Sequence, residues 1–308
     1  MLEVLLVAVL IAASAAAGIR AEPRLADHGR PLAAVLSKVI LWGLVPFISF
    51  FVIARLQLTA GVGVGALLAY LELAVVGAIA WFVATRVLHL TRPQTGAVLV
   101  CVVLANTGYL GLPLITALLG SDQLGYAIAF DSAVSAPTFF VGAMAIGAVM
   151  GTSDTGSRRD LVAGVLRNPP LIAVLAGLLA PSALAPDVLL DIAHALVYAM
   201  IPLAFFIVGL SLGAESEEGQ LTFPPALTAP VVTVLGLRLL AAPLLMIALA
   251  AIVHDVPDAY LVQAAMPSGA NAVLVAHLYG LDLKIAASAV AWSTMLVLVA
   301  AVVVAPLL

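Results

Sequence analysis

Apolar residues fill this chain in blocks the length of a bilayer-crossing helix, about 20 residues, with short polar stretches between them. On that ruler the pattern predicts ten spans. The first five are Leu2–Ile19, Ala33–Ala54, Ala60–Thr85, Thr95–Leu119 and Leu124–Met150. The second five are Pro170–Leu184, Leu189–Leu212, Ala226–Val253, Ala259–Tyr279 and Ile285–Leu308. The longest polar connector, Gly151–Asn168, falls midway. The expected division is therefore 1–150 for a first five-helix half, 151–169 for a cytoplasmic connector, and 170–308 for a second half.

Composition moves the solvent from water to lipid. Of the 308 residues 64% are hydrophobic and 9% charged, whereas a soluble domain is about a quarter charged. The expected class is an all-α membrane protein. A net charge of -4 without basic runs gives no reason to expect nucleic acid as a partner. The single cysteine, Cys101, leaves no disulfide within the chain and no multi-cysteine metal site. No metal or organic cofactor is expected. The N-terminal block carries Glu3 and no basic residue before Arg20, the wrong charge order for a cleaved secretion signal. It reads as a retained first span.

Basic residues set the orientation. Arg20, Arg24, Arg30, Lys38, Arg86, Arg92, Arg158, Arg159, Arg167 and Lys284 all lie in or beside alternate connectors on one side. Arg55 lies on the other side, and Arg238 lies inside a span. Positive loops stay inside, so the reading is a plasma (inner) membrane protein with both termini outside.

The fourth span is interrupted by "LANTGYLGLP", Leu104 to Pro113. Pro113 removes an amide donor, and Gly108 and Gly111 loosen the helix. Freed backbone groups are tolerated at membrane depth only where protein or a watery cavity covers them. The ninth span holds a second interruption, "QAAMPSGANAVL", with Pro267. Pro46 and Pro202 stand 156 residues apart, and Pro113 and Pro267 stand 154 apart. A shared offset predicts two repeats of five helices, and an odd number makes the second enter the membrane inverted. Broken helices in corresponding places can cross and turn their N-terminal dipole ends to one point, which suits an anion. The plainer reading is that Pro and Gly only kink packed spans.

At these residues the sequence resembles the auxin efflux carrier family. "ANTGYLGLP" looks like its Asn-x-Gly-aromatic-x-Gly-x-Pro signature, and "LRNPPLIAVLAGLL", "IPLAFFIVGLSL", "LRLLAAPLL" and "MPSGANAVLVAHLYG" are similar to its sixth to ninth spans. The resemblance implies ten transmembrane helices in two inverted repeats, with crossing, broken helices 4 and 9, akin to bile-acid transporters and sodium/proton antiporters. It implies elevator-type movement and a possible homodimer. It places Asn106, Pro113 and Pro267 at the crossing. The long cytoplasmic loop of the plant auxin carriers is missing here, so a small carboxylate is the expected substrate rather than auxin itself.

The candidate substrate contacts are Asn106, Gly108, Tyr109, Pro113, Pro267, Ser268 and Asn271. Three ionisable groups at depth are candidates for coupling or charge pairing. Glu72 and Arg238 sit mid-span in the third and eighth helices, as a structural ion pair or with Arg238 facing a substrate carboxylate. Asp131 either carries a transported proton or is hydrogen-bonded to Ser132 or Ser135. Glu215, Glu217 and Glu218 read as a solvated loop. The expected function is secondary transport of a small organic anion coupled to H+ or Na+, by symport, and not enzyme chemistry. Alternatives are an anion channel, a transport-fold sensor, and an intramembrane hydrolase using Ser268 and His277.

Overall fold

A computed structural model describes residues 2–25, 28–56, 59–152, 169–217 and 224–304. It is helical throughout, and among the described residues the single β-type contact is an antiparallel bridge between Ala105 and Ser268. Among the described residues six helices are long and apolar enough to cross a bilayer: Pro31–Ile53, Ala60–Val87, Ser121–Met150, Asp187–Ile207, Ala229–Val253 and Leu283–Val303. Two shorter apolar helices, Thr107–Leu119 and Pro169–Leu179, accompany them. Spans four and nine are interrupted, as expected, and the described helix of the sixth, Pro169–Leu179, has 11 residues. Most of the connector 151–169, including Arg158, Arg159 and Arg167, lies outside the described residues.

In chain order the helices are α1 (Leu2–Leu25), α2 (Gly29–Val39), α3 (Val45–Ile53), α4 (Ala60–Phe82) and α5 (Arg92–Val103). Next come α6 (Leu112–Leu119), α7 (Leu124–Phe130), α8 (Met144–Met150), α9 (Pro169–Leu179) and α10 (Asp187–Glu217). The last five are α11 (Ala229–Gly236), α12 (Ala242–Val253), α13 (Asp258–Ala264), α14 (Asn271–Tyr279) and α15 (Leu283–Val304). Local chemistry sets their ends. Pro93 stands in the first turn of α5, where a missing amide costs nothing, and Gln94 folds back to accept the Thr91 N–H at 3.1 Å. Gly280, at φ 67°, closes α14 in the left-handed conformation. Helix α10 runs to Glu217, so Glu215 and Glu217 continue the helix instead of forming the expected loop, and Glu218 lies outside the described residues.

Several spans contain π-turns, in which the backbone bond skips one residue further than in an α-helix. They occupy Ile40–Leu44, Val83–Val87, Thr107–Gly111, Asp131–Ser135, Thr138–Ala143 and Leu237–Ala241. Such turns gather at functional sites. Three of them, Thr107–Gly111, Asp131–Ser135 and Leu237–Ala241, carry the polar side chains described below.

Two helix pairs pack along one side of the broken fourth span and share its apolar core. Helix α1 runs along α10, with Gly18 against the backbone of Phe206 to Leu210 and Gly209 against the backbone of Ala15. Helix α9 runs along α3, with Gly177 against the Phe50 carbonyl. Lipid tails are as apolar as leucine, so close van der Waals fit of small residues drives such pairing. Helices α4, α5, α8 and α11 to α15 pack around the other broken elements, with Val98, Cys101, Val234, Ala276 and Ala286 in their core. "GVGVGA" serves packing: Gly61 faces the Asp255 carbonyl and Gly65 the Tyr260 ring, in keeping with helix contact and not nucleotide binding. The two groups meet where α1 touches α6, α3 touches α7, and α10 touches the π-turn Thr107–Gly111.

Candidate functional site

The chain leaves helical geometry at Leu104 (φ -96°, ψ 104°) and Asn106 (φ -83°, ψ 60°), then re-enters through the π-turn Thr107–Gly111 into α6. The ninth span opens between α13 and α14. The two openings pair with each other. The Asn106 amide donates to the Pro267 carbonyl at 2.8 Å, and the Gly269 amide donates to the Leu104 carbonyl at 2.8 Å. Each break therefore satisfies the other, which answers the cost of unpaired backbone in an apolar body. Gly269 lies close to the Ala105 carbonyl, and a side chain there would press on it.

Four half-helix ends converge here. Helix α5 and α13 bring carbonyl ends, and the turn at Thr107 and the start of α14 bring amide ends. The first N–H groups of a helix have no partner inside it, and together with the dipole they make a positive end. Both second halves are long enough for this, with α6 at 8 residues beyond its π-turn and α14 at 9.

Arg238 serves the carbonyl ends. Its Nε donates to the Met266 carbonyl at 3.0 Å, Nη1 to the Val102 carbonyl at 3.2 Å, and Nη2 to the Ala264 carbonyl. The guanidinium is buried and bridges both broken spans. The ion pair expected with Glu72 is not formed. Glu72 is buried on α4 with Oε1 unpartnered, in Coulombic range of Arg238 but without ion-pair contact. The physical reason is that helix C-terminal carbonyls outnumber other acceptors around the guanidinium, whose planar fork suits them.

Asp131 lies beside the start of the second half of the fourth span. The Thr107 hydroxyl donates to its Oδ1 at 2.5 Å. The expected partners Ser132 and Ser135 are replaced by this residue from the broken fourth span. Gly108 packs beside the same carboxylate, and the Tyr109 phenol stands in its Coulombic range. Gln263 locks the arrangement from the ninth span. Its Nε2 donates to the Thr107 carbonyl at 3.3 Å and the Ala127 carbonyl at 3.2 Å. Only glycine at 111 leaves room for that side chain, because a Cβ would overlap its amide.

The remaining candidates divide. Asn106 is 6% exposed, and among the described residues its side-chain amide has no hydrogen-bond partner. Asn271 is exposed at the start of α14. Pro267 lends its carbonyl to the bridge. Pro113 sits beyond the break, in the first turn of α6, so the two prolines of the shared offset occupy different places. Ser268 is fully buried, and its hydroxyl donates to the Cys101 carbonyl at 2.7 Å. Its amide in turn donates to Ser293 Oγ at 3.1 Å. This hydroxyl is thus engaged with backbone. Nothing pairs it with His277, which is exposed on α14. Sequence reasoning missed Thr107 and Gln263. The visible signal for Gln263 was a lone amide four residues before Pro267 in an apolar half-helix.

Among curated proteins nothing matches the chain. The family described as "Membrane transport protein" matches residues 31–150 and 159–305, which takes in every element of the crossing. That family is one of transporters and not of enzymes. With paired helix breaks, capped dipole ends and this match in place, the chain belongs to the auxin efflux carrier type of membrane transport protein family.

Proposed function

We propose that this protein is a secondary carrier that moves a small carboxylate across the plasma membrane by alternating access. The bridge between Ala105 and Ser268 carries the reading, because it holds two half-helix amide ends at one place. In this reading ten spans form two inverted five-helix repeats, 1–150 and 170–308, with both termini outside. The pairs α1/α10 and α3/α9 form the static frame, and the body with the crossing slides against it. Asn106, Gly108, Tyr109 and Asn271 line the path of the anion.

Coupling follows from charge at the amide ends. In this reading an ionised Asp131, held by the Thr107 hydroxyl, offsets the positive end of the half-helix that starts there. A protonated Asp131 leaves that end free for a carboxylate. Proton and anion then bind together and cross as a neutral pair. This favours protons over sodium as the coupling ion.

The test is flux into proteoliposomes of radiolabelled acetate, benzoate or succinate under imposed proton or sodium gradients. Saturable uptake accelerated by an inward proton gradient is expected. Asp131→Asn is expected to keep saturable flux and lose the acceleration. A linear, non-saturating current would favour a channel, and acceleration by sodium alone would overturn the proton assignment.

A further inference from the structure

Arg238 is the one charged residue among the largest fully buried side chains, and it lies in the π-turn Leu237–Ala241 of the eighth span. Its three recorded hydrogen bonds go to backbone carbonyls of the two broken spans and none goes to a carboxylate. Val102 and Ala264 lie at the last residues of α5 and α13. Each such end carries about half a negative charge, and the amide ends carry about half a positive charge each. One guanidinium therefore cancels roughly both negative ends at once. It leaves the positive ends as the uncancelled part of the crossing, balanced by Asp131 or by a bound anion.

We propose that Arg238 is the positioning and selectivity residue of the crossing: without touching the solute, it holds the carbonyl ends of both broken spans so that only their amide ends act on the transported anion. The proposal rests on the carrier reading above and adds to it where anion preference comes from. A structural ion pair with Glu72 would need the two side chains in contact, and they are not. Lysine is a poor substitute. Its compact ammonium cannot reproduce the flat fork that reaches three carbonyls from two helices.

The experiment compares reconstituted wild type with Arg238→Lys, Arg238→Gln and the double variant Glu72→Gln/Arg238→Gln. The probe is whichever of acetate, benzoate and succinate gives the highest wild-type flux, measured beside its uncharged amide (acetamide, benzamide or succinamide). Arg238→Lys is expected to raise KM and to lower kcat/KM for the carboxylate by ~10-fold or more, the worth of one lost charge-assisted hydrogen bond. Its preference for carboxylate over amide falls in step, a change that loss of stability alone would not produce. The double variant stays defective, because the carbonyls remain uncapped. Where Arg238→Gln fails to fold, Arg238→Lys carries the test. Wild-type values of KM and preference in Arg238→Lys would overturn the proposal and leave the carrier reading intact. Recovery in the double variant would overturn it in favour of an ion pair. Absence of wild-type flux with all three carboxylates would overturn the carrier reading itself.

Discussion

The helix pair α1/α10 and the crossing of the two broken spans both press backbone against backbone in an apolar body. They do so by opposite means. In the pair both helices run on without opening, apart from the donors that Pro23 and Pro202 lack, and the chains approach because Gly18 and Gly209 lack a Cβ. At the crossing the helices open, and the freed groups re-pair across the gap through Asn106–Pro267 and Gly269–Leu104. The pair gains contact through small residues. The crossing frees backbone groups that need partners, some supplied by Arg238, while Asp131 accepts from the Thr107 hydroxyl beside it. Frame and site are thus two answers to one constraint, that backbone polarity in lipid must be satisfied.

The comparison breaks most completely at the frame. Gly209→Val puts a branched side chain onto the backbone of Ala15, where nothing flexible can give. Overpacking of that kind costs ~1–3 kcal/mol and more against backbone. The expected outcome is loss of most monodisperse protein after detergent extraction, with flux lost in proportion to protein. Gly63→Ala is the matched control, since a Cβ there meets nothing within 4 Å. Normal yield of Gly209→Val on a gel-filtration profile would show that α1 and α10 do not pack as described.

At the crossing the comparison sharpens. Asn106→Ala removes an amide that supports no other group among the described residues. Stability should hold, while kcat/KM falls by ~10- to 100-fold if the amide bonds the anion, as a hydrogen bond to a charged group is worth ~1.5–3 kcal/mol. Ser268→Ala should do the reverse. It strands the Cys101 carbonyl at a cost of ~1–3 kcal/mol in stability and leaves KM in place. Melting curves and saturation kinetics on both variants separate the roles. An unstable Asn106→Ala with normal KM would exchange them.

The sequence was legible where the physics repeats. Apolar blocks announced the six helices of bilayer-crossing length among the described residues, and Pro, Gly and Asn announced both breaks, because helix-weakening residues in long apolar stretches have few other uses. What stayed hidden has no side-chain signature. Arg238 binds backbone carbonyls, which every residue owns, so its partners could not be read from residue types and Glu72 looked like the natural mate. Thr107 and Gln263 are single polar residues whose importance comes from lying opposite Asp131 and Gly111 across the fold. The prolines misplaced one break. Pro113 starts a half-helix, and the unwinding precedes it at Leu104–Asn106. The π-turn Val83–Val87 stands as far before Leu237–Ala241 as Pro113 stands before Pro267, a likeness between the halves that only the backbone displays.

The smallest expected effect contrasts Arg238 with Arg55. Arg238 is buried and serves three carbonyls. Arg55 follows the end of α3, where Nη2 meets Asp187 Oδ1 at 2.7 Å and Nε meets the Ala185 carbonyl at 2.8 Å. Asp187 is 85% exposed, so water competes for the ion pair and salt screens it. Asp187→Ala keeps the bond from Arg55 to Ala185 and loses only the pair, together with an acidic residue in the first turn of α10. The cost is about 0.5 kcal/mol. The melting midpoint should shift by little at low salt and by less at high salt, and transport should be unchanged. A salt-insensitive loss as large as that of Ser268→Ala would mean that charge fastens the frame, and the contrast between a frame held by packing and a site held by polar caps would fail.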